Sequence, residues 1–133
     1  MSKKKKMSVI KSFRDLIVYQ KAYALSMKIF EISKTFLKEE QYSLTDQIRK
    51  SSRSVTAQIP EAWAKRKYIR SFVHKLTDSL GEEMETEGWL DYSRDCQYIT
   101  KETHKELMDE YDEVRKMLIS MINSPGKFCS DPY

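Results

Sequence analysis

Residues 42–68, YSLTDQIRKSSRSVTAQIPEAWAKRKY, form a segment in which apolar side chains are few but regularly spaced. Their spacings of four, seven, four and four residues keep them on one side of a helix with about 3.6 residues per turn. They are Leu44, Ile48, Val55, Ile59 and Trp63. Basic residues occupy the opposite side, and small residues on the flank allow a neighbouring backbone to approach closely. The pattern predicts a helix that packs in a bundle and displays positive charge.

Three other segments show the same helical periodicity, and the chain contains only three glycines and three prolines. Such scarcity of turn-forming residues argues against a fold with many β-strands. We expect helices at about residues 13–36, 43–68, 69–95 and 100–123. Because the links between them are short, the sequence predicts an all-α fold, an up-down-up-down antiparallel four-helix bundle.

Pro60 lies inside the second of these helices, where it removes one backbone hydrogen bond and costs about 3 kcal/mol. We therefore expect a kink near Pro60. Gly81 and Gly88 lie inside the third helix, and each costs up to about 1 kcal/mol relative to alanine. Their presence predicts close packing of another helix against that surface.

The length favours a single domain, which we divide into three parts. Residues 1–11 are expected to form a flexible basic arm, residues 12–124 the bundle, and residues 125–133 a loose C-terminal tail. No segment has the run of about 20 apolar residues that a membrane span needs, and the N-terminus lacks the pattern of a signal peptide. Cys96 and Cys129 have no metal-binding or redox spacing, which favours a reducing, cytoplasmic location.

The charge is divided unequally along the chain. Residues 1–70 contain 17 Lys and Arg against 6 Asp and Glu, a net charge of +11, whereas residues 71–133 carry −7. Such asymmetry indicates a basic face offered to a polyanion, complementary faces between subunits, or both.

Two carboxylates of the third helix, Glu83 and Glu87, fall on or beside its apolar stripe. Arg49 and Arg53 lie one turn apart beside the stripe of the second helix. We therefore predict structural ion pairs between these arginines and these glutamates at a partly buried seam.

The pieces YSLTDQIRKSSRSV, IPEAWAKRKY and FVHKLTDSLGEEMETEGWLDY carry a family resemblance that extends over nearly the whole chain. The chain resembles bacterial four-helix-bundle proteins encoded within intervening sequences of large-subunit ribosomal RNA genes. Gln58 and Pro60 depart from the family pattern, which has Asn-Ile-Ala-Glu at residues 58–61.

The resemblance implies a compact bundle that associates into a homopentamer. A more distant similarity links the family to the accessory protein of diversity-generating retroelements, a basic pentamer that binds nucleic acid and partners a reverse transcriptase. The resemblance therefore implies self-association, and it makes RNA or DNA and a protein such as a reverse transcriptase candidate partners.

Catalytic motifs are absent from the sequence. A di-iron bundle needs Glu-x-x-His, but residue 71, three before His74, is Ser, and residue 101, three before His104, is Lys. There is also no Gly-rich phosphate loop, no HExxH motif and no nucleophile elbow. We expect a protein that is not an enzyme and that has no metal site and no cofactor.

A set of basic residues in the first three helices is the strongest functional signal. Contacts to phosphates add through counterion release, and a ring of subunits would multiply a modest patch. The predicted nucleic-acid-binding residues are Lys21, Lys28, Lys50, Lys65, Arg66, Lys67 and Arg70. Because no recognition-helix motif is present, binding should have low sequence specificity. The alternative is an oligomeric scaffold that recruits a protein partner.

Trp63 and Trp89 allow two interpretations. Aromatic faces can stack on nucleobases, but tryptophans on helical stripes more often anchor interfaces. We assign both to the oligomer interface.

Overall fold

The computed structural model describes residues 10–129, which form four α-helices and no strand. They are α1 (Ile17–Ser33), α2 (Asp46–Ala64), α3 (Ile69–Asp95) and α4 (Lys101–Asn123). α1 packs against α2 and α4, and α3 packs against the same two helices. The predicted all-α four-helix bundle is therefore confirmed. Most of the predicted basic arm, residues 1–9, lies outside the described residues.

The entry into the bundle follows from local hydrogen bonding. Ser12 caps a 3₁₀ turn at Phe13–Asp15 by accepting from the Arg14 backbone N–H, and Asp15 accepts in return from the Ser12 backbone N–H. This reciprocal capping box satisfies amides that a helix start leaves without partners. The α-helix itself begins only at Ile17.

The core is formed by apolar side chains from all four helices. Tyr111, Phe72, Ile48 and Leu118 are among its fully buried members. Between α2 and α3 the core includes small polar side chains: the Ser79 hydroxyl donates to the Val55 carbonyl at 2.7 Å. The small residues of α2 thus allow a close helix–helix approach in which buried hydroxyls find partners.

α2 is a single kinked helix with Pro60 inside it, as the sequence predicts. A π-helical turn at Gln41–Thr45 leads into it. α2 ends at Ala64, before the expected limit at residues 67–68, because the next amides bond to carbonyls only three residues back. The Lys65 N–H donates to the Ala62 carbonyl at 2.9 Å, and the Tyr68 N–H donates to the Lys65 carbonyl at 3.0 Å.

The glycines of α3 do not mark a close contact within the subunit. Outside its chain neighbours and its own helix backbone, a Cβ added at Gly81 or Gly88 would meet no atom of the described chain within 4 Å, and both residues are exposed. Within the described subunit, the expected packing of another helix against them is not found, because α3 turns this side outward.

The C-terminal segment departs from the predicted loose tail as far as residue 129. Residues Pro125–Lys127 form a 3₁₀ turn, and the Phe128 ring stacks on buried Phe72 with centroids 6.1 Å apart. An aromatic side chain that covers the end of the core gains burial that sequence periodicity does not reveal. Residues 130–133 lie outside the described part.

Candidate nucleic-acid interface

The two predicted lysines of α1 are neutralised by α4. The Lys21 Nζ lies 2.8 Å from Glu113 Oε1, and the Lys28 Nζ lies 2.9 Å from Glu110 Oε2. The hydrogen bond that Lys21 donates to Glu113 raises the pKa of Lys21. All four side chains remain partly exposed, so these pairs contribute little to stability. They nevertheless reduce the positive potential that α1 offers to a polyanion.

The turn between α2 and α3 brings four of the predicted cations together in the chain. Lys65, Lys67 and Arg70 are exposed. Arg66 lies with its guanidinium 3.7 Å from the Trp63 ring centroid, and its Nε donates to the Trp63 carbonyl at 2.9 Å. Since Trp63 is half-buried, this stacking holds the arginine against the bundle while its charge stays uncompensated by any described carboxylate.

Lys50 lies on a different part of the α2 surface. It borders a shallow pocket of about 190 Å³ that Ser54 of α2 and two glutamates of α3, Glu82 and Glu85, also line. Partial burial, followed by the Glu85 and Asp78 carboxylates, raises the pKa of Glu82. Lys50 forms no ion pair with residues 10–129, but the two nearby glutamates reduce the positive potential around it.

Arg49 and Arg53 do not form the ion pairs that the sequence analysis predicts. The Arg49 Nε donates to the Ser33 hydroxyl at 2.7 Å, and both guanidinium groups lie over the ring of Phe30. α2 thus turns these arginines toward α1, away from α3. No carboxylate of the described residues pairs with either.

The predicted partners on α3 are oriented toward α4. Glu87 Oε2 accepts from Arg115 Nη1 at 2.7 Å, and Arg115 also binds Asp112. Glu83 is fully buried, with neither carboxylate oxygen hydrogen-bonded within the described structure. Burial, followed by the nearby Glu87 carboxyl, raises the pKa of Glu83 to about 9. Glu83 is therefore neutral at pH 7, which removes the penalty of a buried charge.

Arg115 is the residue that sequence reasoning missed. It follows Val114 of the α4 stripe, so it was detectable as a basic residue at the edge of a buried face. Periodicity places a residue on one helix but does not reveal which neighbouring helix faces it. Arg115 and the arginines of α2 were therefore indistinguishable as partners of Glu87.

The two tryptophans are both half-buried but lie toward opposite ends of the bundle. Trp63 is near the end of α2, at the α2–α3 turn. Trp89 lines a pocket of about 480 Å³ with Tyr42, Tyr92 and Leu44, and its Nε1 donates to Glu85 at 3.2 Å. The structure therefore does not join them into one surface, and their role in an oligomer interface stays a prediction.

Residues 10–129 contain neither a metal-binding cluster nor a membrane-spanning helix. No group of three or more His, Cys, Asp and Glu side chains there is arranged to hold a metal ion. None of the four helices has the length and apolar character needed to cross a bilayer.

Comparisons with known proteins agree with the fold. A solved structure from Bacteroides thetaiotaomicron, described as a protein with unknown function from the S23 ribosomal protein family, superposes with a TM-score of 0.73. Its sequence is 30% identical, and the alignment covers 80% of this chain and 96% of that one. No curated protein matches the chain. The family model for the 23S rRNA-intervening sequence protein matches residues 14–120. The chain therefore belongs to the 23S rRNA-intervening sequence protein family.

Proposed function

We propose that the protein is a non-enzymatic, homo-oligomeric nucleic-acid-binding protein that holds structured RNA, or RNA and DNA, through a basic surface of low sequence specificity. The observation that supports the proposal is that some basic residues are paired with carboxylates and others are not. The long-range ion pairs engage Lys21 and Lys28 of α1, Lys75 of α3 and Arg115 of α4. The cations of α2, of the turn after it and of the start of α3 have no carboxylate partner among residues 10–129. They are Arg49, Lys50, Arg53, Lys65, Arg66, Lys67 and Arg70.

Uncompensated surface cations favour a polyanionic partner. Each lysine or arginine that reaches a phosphate releases condensed counterions, and this gain adds from contact to contact. The net charge of +4 is modest, but residues 46–70 contain seven Lys and Arg against two Asp and Glu, a net charge of +5.

The oligomer is proposed to be a pentamer, as the family resemblance implies. Exposed apolar side chains support self-association, because Tyr42, Tyr92 and Met84 are each more than half exposed in the isolated subunit. A ring of five copies would repeat the basic surface and raise the affinity for a long nucleic acid through multivalency.

Fluorescence anisotropy with a labelled RNA hairpin, titrated at several NaCl concentrations, tests nucleic-acid binding. We expect the logarithm of the binding constant to fall linearly with the logarithm of salt concentration. Failure to bind at about 50 mM salt would overturn the proposal. Multi-angle light scattering tests the oligomer: a pentamer has five times the subunit mass of 15.8 kDa, and a monomer would contradict it.

An oligomeric scaffold that recruits a protein partner is the second candidate. It is supported by the aromatic pocket that Tyr42, Trp89 and Tyr92 line on the side of the bundle. Concentrated exposed aromatic surface is typical of protein interaction sites. An RNA affinity that does not change with salt concentration would favour this candidate.

A further inference from the structure

Three positively charged groups surround the ring of Phe30 on the surface between α1 and α2. The Lys34 Nζ lies 4.8 Å, the Arg49 Cζ 4.9 Å and the Arg53 Cζ 5.6 Å from the ring centroid. The four residues are called the Phe30 cluster below. One phenyl face attracts a cation by about 0.5–1 kcal/mol at an exposed site. A single ring therefore does not offset the mutual repulsion of three cations.

Compensating negative charge is scarce around the cluster. Glu31 pairs with Lys34 at 3.3 Å, and both side chains are more than half exposed. No described carboxylate pairs with Arg49 or Arg53. Elsewhere in the bundle each cation that bridges two helices has a carboxylate partner, so the Phe30 cluster is an exception that subunit folding does not explain.

The orientation of Arg49 is set by a buried hydroxyl. Ser33 is 2% exposed, and its hydroxyl donates to the Phe30 carbonyl at 3.0 Å while accepting from Arg49 Nε at 2.7 Å. This chain of bonds engages one edge of the guanidinium and leaves Nη1 and Nη2 without partners in the described structure. A guanidinium held in this way loses little entropy when it binds an anion.

We infer that the Phe30 cluster is a phosphate-binding site, in which the terminal nitrogens of Arg49 and Arg53 donate to the non-bridging oxygens of one phosphate group. Arginine forks match tetrahedral oxyanions and donate in pairs, and Lys34 adds charge. The inference rests on the proposed function for its occupant, a phosphodiester of the bound nucleic acid. It changes the predicted roles of Arg49 and Arg53 from structural ion pairs to ligand contacts.

The first experiment measures RNA-hairpin affinity for the variant with Arg49→Ala and Arg53→Ala. We expect the loss of each arginine to weaken RNA affinity about tenfold. The slope of the logarithm of the binding constant against the logarithm of salt concentration should become shallower by about two. Lys105→Ala is the matched control, since Lys105 is exposed but paired with Asp109. A second variant, with Arg49→Lys and Arg53→Lys, retains the charge without the forks and should bind with intermediate affinity. It also keeps the test valid if the alanine variant fails to fold.

The second experiment uses inorganic pyrophosphate and the broadening of its ³¹P signal, which needs no RNA. The parent should broaden the signal, the double alanine variant should not, and the variant with Lys65, Arg66 and Lys67 changed to alanine should retain most of the effect. Loss of both RNA and pyrophosphate binding in the double variant would support the site.

The remaining outcomes separate the site from the proposed function. If the parent binds pyrophosphate but no RNA, and only the double alanine variant loses pyrophosphate binding, the site stands and the proposed function fails. If the double variant binds RNA with unchanged affinity and salt dependence, the site is overturned and the proposed function stands. A parent that binds neither ligand overturns both.

Discussion

Glu87 of α3 and Arg115 of α4 form a direct ion pair, with 2.7 Å between Oε2 and Nη1 and side chains that are 20% and 28% exposed. Solvent screens this pair less than the other long-range ion pairs of the bundle, whose lysines bind more exposed glutamates. It links the two helices next to the buried, neutral Glu83. The pair therefore belongs to the packing of α3 against α4 and not to a nucleic-acid surface.

Arg115→Ala should lower the free energy of unfolding by about 1–3 kcal/mol, because it leaves Glu87 partly buried without a cation. Urea denaturation measures this change. Arg53→Ala is the informative comparison, since Arg53 has no carboxylate partner and should change stability by only about 0.5 kcal/mol. Equal losses in the two variants would show that this assignment of the ion pair is wrong.

Glu83 should make the bundle less stable as pH rises. Its folded-state pKa of about 9 lies above its ordinary value of 4.5, so the folded protein holds a proton that the unfolded chain releases between these values. This group's contribution is complete below about pH 4.5 and falls by up to about 1.4 kcal/mol per pH unit toward pH 9. Glu83→Gln should remove that slope. Urea midpoints at pH 6 and pH 8.5 for both proteins test this, and parallel pH profiles would contradict it.

Pro60→Ala should raise the free energy of unfolding, by about 1–3 kcal/mol, because alanine restores the N–H that α2 lacks and relieves the clash with the preceding turn. The gain is limited by any contacts that depend on the kink. Thermal and urea unfolding measure the change. A variant less stable than the parent would mean that packing against the kinked helix outweighs the lost backbone hydrogen bond.

Gly88→Ala separates the stability of the subunit from that of the oligomer. The added methyl meets no atom of the described chain within 4 Å beyond its chain neighbours and its own helix backbone, so it should stabilise α3 by up to about 1 kcal/mol. If another subunit packs on this surface, the same methyl should weaken assembly. Gly126→Ala is the control, because its site is also open but lies beyond α4. Light scattering over a dilution series would decide, and unchanged assembly would exclude Gly88 from the interface.

Basic residues that lack a carboxylate partner should contribute more to RNA binding than basic residues that are paired with one. Changing Lys65, Arg66 and Lys67 together to alanine should weaken binding to the hairpin and make the salt dependence shallower by about two to three. Changing Lys21 and Lys28 to alanine should alter the slope of the salt dependence by less than about one, because Glu113 and Glu110 already neutralise these lysines. Anisotropy titrations compare the two variants. A larger loss in the Lys21 and Lys28 variant would invert the proposed surface.

Local features of the fold were predictable from the sequence because their causes lie within a few residues of one another. The reciprocal bonds of Ser12 and Asp15, the cap that Thr100 provides for α4, and the bounds of α3 all depend on backbone groups one turn apart. The kink at Pro60 follows from the same short-range geometry. The basic character of residues 46–70 was equally visible, since it follows from the sequence alone.

The tertiary structure decided which charges meet. A stripe tells which side of a helix is buried, but the rotation of each helix about its axis determines which neighbour a flanking side chain reaches. That rotation places Arg49 and Arg53 next to Phe30 of α1, and Glu87 pairs with Arg115 instead. The stacking of Phe128 on Phe72 likewise joins α3 to the segment after α4, and it exists only in the folded bundle. Helix formation is local and readable in the sequence, whereas partner choice depends on how all four helices fill one common core.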